Sequence, residues 1–430
     1  MEIKLPNGWE TIKTAYMFSF GRGISISREN MGEEGVPCIH YGEIHARYGF
    51  AVDPTKDKLP CIDESYFETA PKSLLNYGDF VFVGTSEDEE GSGNFTYLNN
   101  DVPVFAGSDT IILRPKSEIN HRYTAYMFDS LFYREQIRSA VYGVKVFHPT
   151  QTIIKKAIGI YPPLDVQKAI ASYLDVRTHD IDKIMADLQE QAEMLERYKR
   201  ELIAETVTKG LDKPVPMRDS EVEWIGKVPA HWELQPLFAI AKENNVKNDG
   251  LLCDNLLSLS YGRIIRKDIE TSFGLLPASF EGYQIVNEGY TVMRLTDLQN
   301  DKRSLRTGYV TETGIITSAY MGLIPNELLD GKYFNYLLHA YDLLKIYYGL
   351  GSGLRQTLKF SDMKRLPVLL PPKDEQQKIV IAIDKQTEHI DSLITDINSQ
   401  IEKLKQYRQI VIHDAVTGKI KISEVQNNGN

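Results

Sequence analysis

Cysteine is scarce in this chain: Cys38, Cys61 and Cys253 lie far apart and form no Cys-x-x-Cys pair. That spacing suggests neither a disulfide framework nor a structural zinc site. Long apolar runs are missing as well. No stretch approaches the roughly 20 apolar residues of a membrane helix, and the opening Met1-Glu2-Ile3-Lys4-Leu5-Pro6 lacks the apolar core of a signal peptide. A cytoplasmic protein without a membrane partner is the expectation. Positive charge is in deficit, with 49 Lys and Arg against 59 Asp and Glu and a net charge of −10. Such a deficit argues at first against a nucleic-acid partner, because Lys and Arg supply the counterion release that drives phosphate binding. The acidic residues are gathered, however, at Glu87-Asp88-Glu89-Glu90 and along two helical segments, where they make solvated faces.

Signatures of catalysis are also missing. There is no phosphate-binding Gly-x-x-x-x-Gly-Lys-Ser/Thr, no His-Glu-x-x-His and no Gly-x-Ser-x-Gly. Glu2-Ile3-Lys4 has no upstream acidic residue to complete a nuclease metal site. The Pro162-Pro163 and Pro371-Pro372 pairs lack the polar and aromatic flanks of an adenine methyltransferase site. Gly349-Leu350-Gly351-Ser352-Gly353 has no apolar strand leading into it and reads as a turn. His40 and His45 have no further ligand in pattern and read as ordinary side chains. The expectation is a chain with no catalytic site, no metal and no bound cofactor.

What is present is a repeat. In 430 residues, room enough for two or three domains, the segment Pro162 to Thr208 aligns without gaps on Pro371 to Thr417. Identical pairs include Asp165/Asp374, Gln167/Gln376, Asp175/Asp384, Asp182/Asp391 and Thr208/Thr417. Both segments open on Pro-Pro, contain no helix breaker and end before Gly210 or Gly418, so both are predicted helices of roughly 70 Å at ~1.5 Å per residue. A heptad seam runs through Ile170, Leu174, Arg177, Ile181, Ile184, Leu188, Gln191, Leu195, Tyr198 and Leu202. The second copy repeats it through Ile379, Ile383, Gln386, Ile390, Leu393, Ile397, Gln400, Leu404, Tyr407 and Val411, interruptions included. The two helices are expected to pack on each other, with an antiparallel arrangement favoured because a globular segment long enough to cross back separates them.

The halves also open alike, on Leu5-Pro6-Asn7-Gly8-Trp9-Glu10 and Val228-Pro229-Ala230-His231-Trp232-Glu233. Between opening and helix the sequences diverge into mixed α and β patterns. Strands are expected after the turns in Tyr77-Gly78-Asp79-Phe80-Val81-Phe82-Val83 and Gly289-Tyr290-Thr291-Val292-Met293, and helices near Tyr123 to Arg138 and Tyr333 to Tyr347. Ahead of each long helix lies a basic window holding aromatics: Arg134, Arg138, Lys145, Lys155 and Lys156 in the first half, Lys345, Arg355, Lys359, Lys364 and Arg365 in the second. Lys145 and Arg355 fall opposite each other when Gly143 is aligned with Gly353, and basic residues on a Gly-rich loop suit phosphates or base edges. Lys145, Arg355, Arg138 and Lys359 are therefore the candidate DNA contacts, with Arg263, Arg266, Arg294, Arg303 and Arg306 as weaker candidates in the second half. A solvated basic surface is the bland alternative.

At the junction of the halves, Thr208-Lys209-Gly210-Leu211-Asp212-Lys213 leads into Met217-Arg218-Asp219-Ser220-Glu221-Val222-Glu223-Trp224-Ile225-Gly226-Lys227-Val228-Pro229. This stretch closely resembles the junction in specificity subunits of type I restriction-modification systems, as does Leu370-Pro371-Pro372-Lys373-Asp374-Glu375-Gln376-Gln377-Lys378-Ile379. In the first copy Val166 stands where the second has Glu375, which questions whether both helix starts make equivalent contacts. The resemblance implies an α+β fold of two target-recognition domains separated by paired long helices. Its domains would be residues 1–161 and 211–370, its helices 162–210 and 371–418, and 419–430 a flexible tail. It further implies a DNA-recognition subunit without an active site, whose partners are double-stranded DNA, two adenine methyltransferase subunits carrying S-adenosylmethionine, and through them motor-nuclease subunits. The rivals to weigh are a coiled-coil interaction scaffold, which would show no salt-sensitive DNA binding, and a self-sufficient DNA-modifying enzyme.

Overall fold

The computed structural model describes residues 4–143, 145–211, 215–268, 279–298, 305–350 and 357–420. The chain forms two compact units, residues 1–188 with 399–430, and residues 189–398. Each long helix is thus shared, where the sequence suggested separate helical segments between domains. The seam explains the division, because the start of one helix packs with the end of the other.

The first unit runs β1 (Glu10–Lys13), α1 (Thr14–Met17), β2 (Phe18–Arg22), β3 (Val36–Ile39), α2 (Tyr41–Ala46), β4 (Ala51–Val52) and β5 (Cys61–Ile62). It continues through α3 (Tyr66–Thr69), β6 (Leu74–Leu75), β7 (Phe80–Val83), β8 (Phe95–Leu98), β9 (Val104–Ala106) and β10 (Thr110–Pro115). Then come α4 (His121–Asp129), α5 (Leu131–Arg138), α6 (Gln151–Lys156), β11 (Ile158–Tyr161) and the long α7 (Leu164–Lys209). The second unit opens with β12 (Met217–Asp219), β13 (Lys227–Pro229), β14 (Glu233–Pro236), α8 (Leu237–Ile240), β15 (Ala241–Glu243), β16 (Leu257–Ser260) and β17 (Arg263–Arg266). It goes on through β18 (Gln284–Val286), β19 (Thr291–Met293), β20 (Thr307–Tyr309), β21 (Gly314–Ile316) and β22 (Met321–Pro325). It closes with α9 (Gly331–Leu343), α10 (Phe360–Met363), β23 (Pro367–Leu370) and the long α11 (Lys373–Val416).

The divergent bodies share one frame. The first contains a sheet ordered β2-β10-β7-β8-β4, the second a sheet ordered β15-β22-β19-β20, and the four common strands pair antiparallel in both. The opening strand pairs with the strand just before the long helix in each unit, β1 with β11 and β14 with β23. What is added differs. The first unit carries a further four-stranded sheet, β5-β3-β9-β6, and the second carries the ribbons β16-β17 and β18-β21. Ser130 caps a second helix after α4 by accepting from the Tyr133 amide, so the single helical stretch expected there is two.

Both long helices start after Pro-Pro, hold acidic residues in the first turn (Asp165; Asp374 and Glu375) and end at a glycine with positive φ, Gly210 at +77° and Gly418 at +73°. In the first unit Ile170, Ala171 and Leu174 of α7 share a core with Val411, Ile412, Ala415 and Val416 of α11, and Arg408 Nε donates to Asp182 Oδ1 at 2.9 Å. In the second, Ile203 and Val207 share a core with Ile379, Val380 and Ile383, and Lys199 Nζ donates to Asp391 Oδ1 at 2.5 Å. Rising numbers on one helix meet falling numbers on the other, so each pair is antiparallel.

The heptad reading needs correction at every second position. Ile181, Ile390 and Ile397 are buried, and Leu188, Leu195 and Leu404 are partly buried. Ile184, Tyr198, Leu393 and Tyr407 are exposed, as are Gln191 and Gln400. Their C-terminal neighbours face inward instead: Met185, Ala192 and Lys199 on α7, Ile394, Ile401 and Arg408 on α11. From Leu174 the buried row steps four then three, through Thr178 and not Arg177. Both step orders give a heptad, and the apolar Ile184 and Tyr198 favoured the wrong one.

Candidate nucleic-acid interface

The residues that the repeat shares turn out to join each domain to the start of its long helix. Gln167 Oε1 accepts from the Asn120 amide (3.0 Å) while Nε2 donates to the Pro162 carbonyl (2.9 Å). Gln376 does the same with the Asp330 amide (2.7 Å) and the Pro371 carbonyl (2.8 Å). Two turns later Asp175 accepts from Tyr126 (2.7 Å) and Arg122 (2.5 Å), and Asp384 accepts from Tyr336 and Lys332 (both 2.6 Å). Burial pushes the Tyr126 hydroxyl up to about 12, so it stays a neutral donor. The Val166/Glu375 departure has a matching partner: Glu375 Oε2 meets His231 Nε2 at 2.8 Å, whereas in the first unit the position of His231 is Gly8 and Val166 packs into the apolar core.

The basic candidates fare differently. Lys145 stands exposed beside Phe147, whose backbone forms a two-way bridge with Ser86. Arg138 is partly buried at the end of α5, donates to the Glu90 carbonyl at 2.7 Å, and has its pKa lowered by burial and then by Arg134. Lys359 is exposed just before α10, where its amide donates to Asp362 Oδ2 at 2.9 Å. Arg294 is exposed in side chain. Arg263, on the β16-β17 ribbon, lies 3.5 Å from Asp391 of α11 and is engaged with the helix. Arg303 and Arg355 lie outside the described residues. Two of the weaker candidates are structural: Arg306 is buried, its guanidinium donating to the carbonyls of Arg294, Thr296 and Asp297, and Arg266 is held by Glu312.

The first unit also contains a cleft of about 1320 Å³ between its mixed domain and the outer face of α11. Arg28, Arg134, Arg138 and Lys405 line it together with Glu87, Asp88, Glu90 and Glu402. Arg28, Asp129, Lys405 and Arg408 escaped the sequence reading. One signal was available for Arg408: it is the repeat counterpart of Lys199, as Asp182 is of Asp391, so two cations and two anions recur in register. Among the described residues no three His, Cys, Asp or Glu are grouped to hold a metal ion, and no helix is long and apolar enough to cross a membrane.

Two units of one frame, each an α+β body on an antiparallel pair of helix ends, define an internally duplicated protein. The chain matches the type I restriction modification DNA specificity domain over residues 6–194 and 306–403, and it belongs to that family. It is 21% identical over 442 residues to the type I restriction enzyme StySPI specificity subunit of Salmonella potsdam, spanning 97% of this chain and 90% of that one. To the EcoKI specificity subunit of Escherichia coli K12 it is 19% identical over 457 residues, with 97% and 90% covered. A solved chain from work on complex assembly and conformational transition of the type I R-M system shares the fold, with a TM-score of 0.67 at 14% identity over 97% of this chain and 100% of that one.

Proposed function

We propose that this chain is the non-catalytic DNA-reading subunit of a type I restriction-modification complex, in which each mixed domain reads one half of a two-part, asymmetric DNA site. The observation that carries this reading is one frame with two different decorations. A common order of four strands and corresponding helix braces hold the domains in equivalent settings, while the extra sheet of the first and the ribbons of the second offer different surfaces to DNA. Lys145, Arg138, Lys359, Arg263, Arg294, Arg303 and Arg355 are its proposed basic contacts. Exposed Lys145, Lys359 and Arg294 suit phosphate or base contact without first breaking a described ion pair.

In this reading α7 and α11 set the gap between half-sites and dock two adenine methyltransferase subunits, which carry S-adenosylmethionine and link in turn to motor-nuclease subunits in the cytoplasm. Exposed apolar side chains on the helices support docking: Val176, Ile184, Tyr407 and Ile410 in the first unit, Met194, Tyr198, Ile381 and Leu393 in the second. The test is to express the chain with its methyltransferase and map methylated adenines by single-molecule sequencing. A two-part motif with a fixed gap that vanishes when this chain is omitted is expected. Methylation unchanged by the omission would leave an interaction scaffold.

A further inference from the structure

Within the first unit the end of α11 meets the mixed domain in two ways. Over Val411 to Val416 the contact is apolar, with Val411, Ile412, Ala415 and Val416 in one core with Tyr133, Ile137 and Ile154. Over Glu402 to Ile410 the helix faces the open cleft instead. Arg408 stands where packing gives way to cleft. Its Nε donates to Asp182 Oδ1 at 2.9 Å, and its Nη1 lies 3.6 Å from Asp129 Oδ2 at the end of α4.

Asp129 is only 8% exposed and sits between two arginines, its other oxygen accepting from Arg134 Nη2 at 2.8 Å and Nε at 3.2 Å. Arg134 Nη1 continues the chain to Asn94 Oδ1 at 2.7 Å, at the edge of β8. Asn94, Arg134, Asp129, Arg408 and Asp182 thus form an unbroken polar line from the sheet of the first domain to the helix pair. Two cations balance two anions, so the buried carboxylate is compensated; the links of Arg134 to Asp129 and of Arg408 to Asp182 are directional hydrogen bonds, and Arg408 to Asp129 is an ion pair at 3.6 Å. An apolar patch alone permits rocking about itself. An ion pair just beyond it, at the lip of the open cleft, resists that motion.

The second unit cannot make this contact. Lys199 replaces Arg408 and keeps the bond to Asp391, but the position of Asp129, counted along α9 from the matched Tyr126 and Tyr336, is His339. There Arg263 approaches Asp391 from the β16-β17 ribbon.

We propose that Arg408 is a positioning residue for half-site reading, which through Asp129 holds the first recognition domain at a fixed attitude on the helix pair. The proposal rests on the reading of the mixed domains as DNA-recognition domains. Its test uses the whole chain assembled with its methyltransferase and compares Arg408→Gln, Asp129→Asn, Arg408→Lys and Lys199→Gln. Methylation is counted at the two-part motif and at all sites with one mismatch, while assembly is followed by size-exclusion chromatography. Arg408→Gln and Asp129→Asn are expected to raise methylation of mismatched sites about tenfold in one half-site, the same half for both, and to leave discrimination in the other unchanged. Arg408→Lys should restore part of the loss, and Lys199→Gln should not touch that half-site. Equal loosening of both halves, or none in an assembled complex, would overturn the positioning role while the recognition reading stood. A wild-type complex with no two-part motif would remove the recognition reading itself, and this role with it.

Discussion

Gln167 and Gln376 hold the same place in the first turn of their helices, yet they make different numbers of bonds. Both tie a domain amide to the Pro-Pro carbonyl, but Gln376 also donates to the Leu328 carbonyl at 3.0 Å and is completely buried, whereas Gln167 is 5% exposed. The same split recurs at the helix ends, where Arg408 reaches a domain carboxylate and Lys199 does not. The repeat therefore preserves which elements are joined and varies how firmly. The brace gives the largest expected effect. Gln376→Ala leaves one amide and two carbonyls unpaired and should cost about 3 kcal/mol, against about 2 kcal/mol for Gln167→Ala. Urea unfolding supplies the difference, and hydrogen exchange at the Asp330 and Asn120 amides locates it. Equal losses would mean that the third bond is idle.

A second contrast lies between His339 and its counterpart Asp129. The partly buried His339 ring is held down to about 4 from the usual 6.5 by burial and then by the charge of Lys199. A depressed folded-state pKa favours the neutral ring, so its contribution to stability is complete above about 6.5 and is lost as pH falls toward 4. Allowing for the exposed part of the ring, the loss between pH 7 and pH 4.5 should be roughly 1–2 kcal/mol. Other histidines share the acid sensitivity, His40, His121 and His413 among them. The informative quantity is therefore wild type minus His339→Gln. Thermal unfolding across that range should show the gap narrowing as pH falls, and a constant gap would show that the ring is not held neutral.

Much of this architecture is legible in the sequence because the repeat repeats contacts, not just composition. Gln167/Gln376 and Asp175/Asp384 stand out as identical pairs, and each proves to be a joint between domain and helix. Connectivity favours the antiparallel pairing that the structure shows. The common strand order does not, since the frame uses short apolar strands such as Phe80–Val83 and Thr291–Met293 whose pairing depends on residues far away. Arg306 stands among the weaker candidate contacts, while its real partners are three carbonyls brought together by the fold. The cleft was hidden for a related reason, since one wall comes from α11 and the other from loops some 300 residues earlier, as Glu402 and Glu90 illustrate.

The smallest effect tests the corrected seam. Tyr198 and Tyr407, 55% and 56% exposed, occupy positions that a three-then-four step would bury, while Ile203 and Ile412 are 4% and 0% exposed. Replacing either tyrosine by alanine should change stability by about 0.5 kcal/mol or less, whereas Ile203→Ala and Ile412→Ala should each cost about 2–5 kcal/mol. Urea midpoints of the four variants separate these cases. Tyrosine losses as large as the isoleucine losses would restore the step order that the sequence suggested and turn Met185, Ala192, Ile394 and Ile401 outward. Neutral tyrosine variants would leave these rings free for a docked subunit, and a weakened methyltransferase complex at unchanged stability would then separate the outer face of the helices from their seam.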